Sequence, residues 1–287
     1  MDLASAYRMA GEAAATRAEV EAEMAVAPDP TAAAFFDVDN TVMRGASIFH
    51  LARGLAARKF FTTRDSAGFA WEQLKFITVG SEDLDAMADA TEAALGFVKG
   101  RRVEEINRLG DEIFTEIMAD KLWPGTLALA QSHLDAGQRV WLVTASPIEL
   151  ATIIARRLGL TGALGTVSEI EHGVYTGRLV GKPLHGPAKA EAVRALAARQ
   201  GLDLERCSAY SDSFNDVPML STVGHPVAVN PDAALREHAR EQGWDIRDYR
   251  RQRLRRRVGI PAGAVAGTAL VTGIGIGVVI ARRAARR

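Results

Sequence analysis

Short apolar runs that stop abruptly on a polar residue recur along the chain. Ala32-Ala33-Ala34-Phe35-Phe36 stops at Asp37, Val140-Trp141-Leu142-Val143 at Thr144, Cys207-Ser208-Ala209-Tyr210-Ser211 at Asp212, and Val227-Ala228-Val229 at Asn230. Runs of this kind suit strands buried on both faces of a parallel sheet, each carrying a polar residue to its carboxyl end. Between them the period changes. Ile148 to Leu158 has apolar residues at helical spacing, and Ala188 to Ala198 is an alanine-rich helix closed by Gly201. Strands alternating with helices predict an α/β fold with a Rossmann-like parallel sheet. From Gly45 to Lys121 helix-length segments dominate, which predicts a helical cap inserted after the first strand. Ser168 to Val180, punctuated by Gly173 and Gly177, alternates as a hairpin does.

The first thirty residues are rich in Ala and Glu and close on Ala27-Pro28-Asp29-Pro30. They lack the basic start and apolar core of a secretory signal and read as a helix plus linker. The expected organisation is therefore 1–30 helix and linker, 31–44 and 122–245 catalytic core, 45–121 cap, and 246–287 a basic collar with an apolar segment. A chain of 287 residues accommodates one main core of about 200 residues with such additions. Lysine plus arginine and aspartate plus glutamate both number 35, which gives no reason to expect nucleic acid as a partner. The single cysteine, Cys207, excludes an intrachain disulfide, and no Cys/His cluster has zinc-ligand spacing.

Ligands of open α/β sheets bind beyond the carboxyl ends of the strands, so Asp37, Thr144 and Asp212 are expected to converge on one crevice. In Asp37-Val38-Asp39-Asn40-Thr41 two carboxylates stand two residues apart just past a strand, one placed to attack and the other to move protons. The plainer reading is an Asx-rich turn. Ser211-Asp212-Ser213-Phe214-Asn215-Asp216 adds carboxylates suited to Mg2+, a cation that prefers oxygen ligands and water. Thr144 offers a hydroxyl and a nearby N–H to phosphoryl oxygens, or else simply caps a helix. Lys189 would neutralise charge on a transferring group, although a lone helix lysine is ordinarily exposed.

These residues resemble, in order, the four motifs of the haloacid-dehalogenase superfamily, in its phosphoserine-phosphatase-like branch with a cap after the first strand. Asp37-Val38-Asp39-Asn40-Thr41 matches the first motif, Thr144 the second, Lys189 the third, and Asp212 with Asn215 and Asp216 the fourth. The interval from Lys189 to Asp212 is similar to the family's and favours Lys189 over Lys182. The resemblance covers roughly residues 32 to 232. It implies that Asp37 becomes an aspartyl phosphate while Asp39 protonates the leaving group and later deprotonates water. It also implies that Mg2+ is bound by Asp37, the Asp39 carbonyl and Asp212, with Asp216 orienting either Lys189 or a metal-bound water. Thr144 and Lys189 would hold phosphoryl oxygens, with Asn215 supporting the same loop. Phosphoserine phosphatases of this branch are expected to carry a glutamate shortly after the first motif, where Val42-Met43-Arg44-Gly45-Ala46-Ser47 offers Ala46. Arg44 is the one charge there and is a candidate for an anionic substrate group, against the plainer reading of a surface arginine. Phe49, Phe60, Phe61, Phe69, Trp71, Phe76, Phe97 and Phe114 supply enough aromatic surface in the cap to line an apolar pocket or to pack its helices.

Val258 to Ile280 carries no charge and, at about 1.5 Å per residue, reaches roughly 34 Å, enough for a hydrocarbon core of about 30 Å. It reads as a transmembrane helix, or else as a buried C-terminal helix. Gly259, Gly263 and Gly267, and then Gly273 and Gly277, recur every fourth residue, a face that predicts homodimerisation. Arginine is denser before the segment, from Arg247 to Arg257, than after it, which predicts a cytoplasmic catalytic domain. The whole sequence therefore predicts a membrane-tethered, Mg2+-dependent phosphomonoester phosphatase acting on a phosphorylated lipid or lysophospholipid. A phosphatase of phosphoserine or another soluble ester, and a membrane-bound module that binds phosphate ligands without turnover, are the alternatives.

Overall fold

The computed structural model describes residues 31–60 and 98–250. Six parallel strands form one sheet in the order β3-β2-β1-β6-β7-β8, where β1 is Ala33–Phe36, β2 Arg139–Pro147, β3 Gly162–Thr166, β6 Ser208–Ser211, β7 His225–Val229 and β8 Asp245–Arg247. The four residues of β1 are fully buried at the centre of this sheet, which is why its sequence is uninterruptedly apolar. Helices α3 (Pro124–Asp135), α4 (Ile148–Arg157), α5 (Pro187–Gln200), α6 (Val217–Leu220) and α7 (Ala233–Gln242) connect the strands. One core cluster joins Phe35 and Val143 to Val193, Cys207, Met219, Leu220 and Leu235. The buried Cys207 is thus a small core residue.

Local chemistry sets the helix ends. Pro187 opens α5, and Gly201, at φ 63°, takes the left-handed conformation that closes it. Asp232 caps α7 by accepting the Leu235 N–H at 2.7 Å.

Three strands differ from the sequence pattern. β2 does not stop at Thr144 but continues to Pro147, with an irregularity against β3 between Val143 and Pro147. β3, Gly-Ala-Leu-Gly-Thr, has no apolar run because it has no room for one: a Cβ on Gly162 would stand 2.5 Å from the Trp141 ring. β8 is a short polar edge strand, and Arg247, which the sequence assigned to the basic collar, is its last residue and accepts the Asn230 N–H at 2.7 Å. The compact unit consequently runs through Arg247, two residues past the expected boundary.

Between β1 and α3 lies the insertion. Its described parts are α1 (Ser47–Ala57) and α2 (Val103–Ile113), the latter running on through a π turn at Phe114–Met118 and a 3-10 turn at Ala119–Lys121. Gly54 of α1 lets the two helices approach closely, since a Cβ there would meet Ile113 at 2.5 Å. Phe114 is buried where the insertion packs on itself. The chain enters and leaves side by side: Arg44 N–H donates to Lys121 O at 2.8 Å, Trp123 N–H to Val42 O at 2.9 Å, and Met43 bridges Leu122 antiparallel. An antiparallel hairpin of β4 (Ser168–Glu171) and β5 (Val174–Leu179) lies where alternation predicts one, and residues 100–103 bond along β5.

Phe61, Phe69, Trp71, Phe76 and Phe97 of the expected aromatic lining, the N-terminal helix and the segment Val258 to Ile280 fall outside the described residues. Among the described residues no helix is long and apolar enough to cross a membrane.

Candidate active site

Asp37 leaves β1 with its N–H donated to Tyr210 O at 2.9 Å, so the sheet ladder itself sets its backbone. The next turn is tight. Val42 and Met43 N–H both reach back to Val38 O, and Asn40 adopts a left-handed φ of 62° while its side-chain oxygen accepts the Gly45 N–H at 3.0 Å. The Asx turn and the paired carboxylates are therefore the same segment. The turn is what turns Asp37 and Asp39 to one side.

Lys189, in the first turn of α5, is 3% exposed, and its Nζ lies 2.6 Å from Asp37 Oδ1 and 2.8 Å from Asp216 Oδ2. A buried ammonium needs such partners, and the two carboxylates keep it charged, raising its pKa against the opposing effect of burial. Lys182, by contrast, is exposed. The Ser211 hydroxyl donates to Asp216 Oδ2 at 2.7 Å. Asp216 Oδ2 is thus shared by Lys189 and Ser211, an arrangement that orients the lysine.

Asp212 follows β6 and accepts the Thr41 hydroxyl on Oδ1 at 3.2 Å. Burial and the nearby Asp37 charge push its carboxyl up to about 8, and burial, partly opposed by Lys189, pushes that of Asp37 up to about 7. Asp39 is raised in the same direction by burial, against hydrogen bonds from Ser47. Thr144 is buried, and its Oγ1 accepts the Ser146 N–H at 3.1 Å, leaving its own proton for another acceptor. It lies within β2 rather than at its end, yet β1 and β2 are adjacent and bring it beside Asp37 in the sheet order.

Arg44 and Asn215, expected at the substrate, have these contacts. The Arg44 guanidinium donates to the carbonyls of Asp120 and Lys121 and lies 5.8 Å from the Trp123 ring centre. It ties the two ends of the insertion together, because the exiting strand presents carbonyls where the sequence shows only an isolated charge. Asn215 uses its N–H on Ser213 Oγ at 3.3 Å within the 3-10 turn Phe214–Asp216, and no side-chain hydrogen bond is formed by it among the described residues. The Arg101 guanidinium lies over the Phe60 ring, 4.2 Å from its centre.

The sequence left Ser47, Ser146, Thr41 and Ser211 without roles, although the Thr41 and Ser211 hydroxyls hold Asp212 and Asp216 and the N–H groups of Ser47 and Ser146 hold Asp39 and Thr144. For Thr41, Ser146 and Ser211, a hydroxyl in or within two positions of a motif residue was the available signal; Ser47, six positions past the first motif, gave none. No cluster of three His, Cys, Asp or Glu side chains suited to a metal exists among the described residues. The donors that fit a hard divalent cation are the Asp37 and Asp212 carboxylates with a backbone carbonyl. Their mutual repulsion, unrelieved by one lysine shared with Asp216, is what a cation would remove.

A parallel sheet whose strand ends bring carboxylates against a buried lysine makes an α/β protein with an aspartate-rich site. Residues 34–221 match the haloacid dehalogenase-like hydrolases, and the chain belongs to that family; it is a phosphatase. A phosphoserine phosphatase of Mycobacterium tuberculosis (strain ATCC 25618 / H37Rv) is 60% identical over 241 residues, covering 84% of this chain and 78% of that protein. A histidinol-phosphatase of Neisseria meningitidis serogroup C is 28% identical over 221 residues, covering 76% and 98% respectively. Among solved structures, a protein of unknown function from Bordetella pertussis Tohama I superposes with a TM-score of 0.68 at 29% identity, covering 77% of this chain and 99% of that one.

Proposed function

We propose that this phosphatase hydrolyses phosphomonoesters with the help of Mg2+, through a phosphorylated Asp37. The observation that carries this reading is Lys189, buried between Asp37 and Asp216 at 2.6 and 2.8 Å. Evolution rarely buries a lysine unless its charge is used, and here it steadies a nucleophile and would face the phosphoryl oxygens. Asp37 Oδ1 is held by that lysine, which leaves Oδ2 to form the bond to phosphorus as the ester P–O bond breaks. The departing alkoxide takes its proton from Asp39. Asp39 then accepts a proton from water, the water oxygen bonds to phosphorus, and the Asp37–phosphorus bond breaks to release phosphate. A carboxyl raised above its ordinary range suits this two-way traffic. Mg2+, bound by Asp37, Asp212 and the Asp39 carbonyl, would offset the repulsion between an anionic nucleophile and an anionic phosphate. Thr144 would donate its hydroxyl proton to a phosphoryl oxygen.

For the substrate we infer a small alkyl phosphomonoester, since the relatives above are named for phosphoserine and histidinol phosphate. Ala46 stands where a glutamate would serve phosphoserine's amino-acid part, so other amines compete with serine. A phosphorylated lipid or lysophospholipid is the second reading, favoured by the uncharged stretch Val258 to Ile280 and its arginine collar. On that reading the stretch tethers a cytoplasmic catalytic domain to a membrane and pairs with a second copy through its glycines. Family membership and the assembled carboxylates weigh against a module that binds phosphate without turnover.

Phosphate release from phosphoserine, histidinol phosphate and lysophosphatidic acid, with and without Mg2+, tests both readings. Mg2+-dependent release that Asp37→Asn abolishes is the expected result, fastest on one of the two amines. Metal-independent release, or release that survives Asp37→Asn, overturns the mechanism, and preference for lysophosphatidic acid selects the lipid.

A further inference from the structure

Ser47 opens the cap at the first position of α1, and its backbone faces Asp39: its N–H donates to Asp39 Oδ1 at 2.7 Å. Its Oγ also lies 2.8 Å from the Ser146 Oγ, and both serines are buried, at 0% and 5% exposure. Ser146 in turn donates its N–H to Thr144 Oγ1 at 3.1 Å.

A serine hydroxyl has one hydrogen, so across the 2.8 Å contact one of Ser47 and Ser146 donates and the other accepts. When Asp39 is protonated, Oδ1 still faces an N–H, which cannot accept a hydrogen bond. The acid proton therefore sits on Oδ2.

We infer that Ser47 is a positioning residue that reserves Asp39 Oδ2 for proton transfer and, through Ser146, fastens the start of the cap to the phosphate-facing turn of β2. Nothing in the four motifs contains Ser47, because it belongs to the insertion. The inference rests on Asp39 being the proton carrier of the proposed reaction. Its consequence is that the cap, at its first residue, sets the orientation of the acid that expels the leaving group.

The test compares two leaving groups. Glycerol 2-phosphate releases an alkoxide that needs a proton, whereas p-nitrophenyl phosphate releases a phenolate that scarcely does, and kcat/KM for both reports the step that expels them. In the full-length protein, Ser47→Pro, which removes the N–H at a first helical position preceded by the extended Ala46, should lower kcat/KM about ten-fold on glycerol 2-phosphate and no more than about three-fold on p-nitrophenyl phosphate. Ser47→Ala and Ser146→Ala, which break the hydroxyl contact and keep the N–H, should show a smaller bias of the same sign. Equal losses on both esters, or no loss, overturn the positioning role. If Ser47→Pro does not fold, Ser47→Ala and Ser146→Ala decide by the same ratio. Asp39→Asn separates the two ideas. If it too shows no bias, the acid assignment itself fails; if it shows the bias and the serine variants do not, only the role of Ser47 falls.

Discussion

Asp37, Asp212 and Asp216 surround one lysine, and that surplus of carboxylate has a measurable cost before any cation binds. Asp37 is pushed up to about 7 and Asp212 to about 8, from 3.8 for an ordinary aspartate. A carboxyl raised on folding binds more protons folded than unfolded between these values, so its contribution to stability is present at low pH and lost as pH rises through 7 to 8. In EDTA, Tm should fall between pH 5.5 and pH 8.5. Asp212→Asn removes one repelling charge, so it should flatten that dependence and stabilise the metal-free protein at pH 8.5 by on the order of 1 kcal/mol while abolishing activity. Differential scanning fluorimetry in EDTA reads both. A Tm that rises with pH would sink the argument. Saturating Mg2+ should reverse the pH trend by supplying the missing positive charge.

Elements carry the next level of control, most clearly at the root of the cap. Arg44 binds the carbonyls of Asp120 and Lys121, so Arg44→Ala is expected to loosen the junction, lowering stability by about 1 kcal/mol, with kcat/KM changed less than about three-fold. Urea melts beside steady-state kinetics distinguish this from a substrate contact, which would raise KM sharply. Arg44 has partners that the sequence does not display. A lone charge in an apolar stretch looks available for a ligand, whereas its true partners are backbone carbonyls, which no sequence pattern displays. The carboxylates were legible for the opposite reason. Asp37 and Asp212 follow β1 and β6, and burial of a strand on both faces writes itself as an apolar run that ends where the site begins. β3 and β8 were illegible because close packing against Trp141 selects glycine at Gly162, and because an edge strand can be polar. Ser47 was missed because the hydrogen bond from a helix N–H to Asp39 exists only once the insertion has folded back.

At the scale of the molecule, the sheet order β3-β2-β1-β6-β7-β8 puts the strand that ends at Asp37 between the strand that carries Thr144 and the one that ends at Asp212, which is how residues far apart in sequence come to share one crevice. The C-terminal segment poses a separate physical question with its own experiment. If Val258 to Ile280 anchors the protein, the full chain should float with phosphatidylserine-containing vesicles and resist extraction by high salt, while a chain ending at Arg250 should not float. Flotation lost in salt would indicate attraction of the arginine collar alone.

The paired ends of the cap carry one more implication. Arg44 and Lys121 are 77 positions apart in the sequence, yet one N–H of the first donates to the carbonyl of the second at 2.8 Å. To the sheet, the whole insertion is equivalent to a turn that closes on itself. Closing a loop costs entropy that grows only with the logarithm of its length, so caps of very different size burden the hydrolytic chassis almost equally. Substrate range can then diverge by exchanging what lies between those two residues, provided each newcomer begins with an N–H turned toward Asp39.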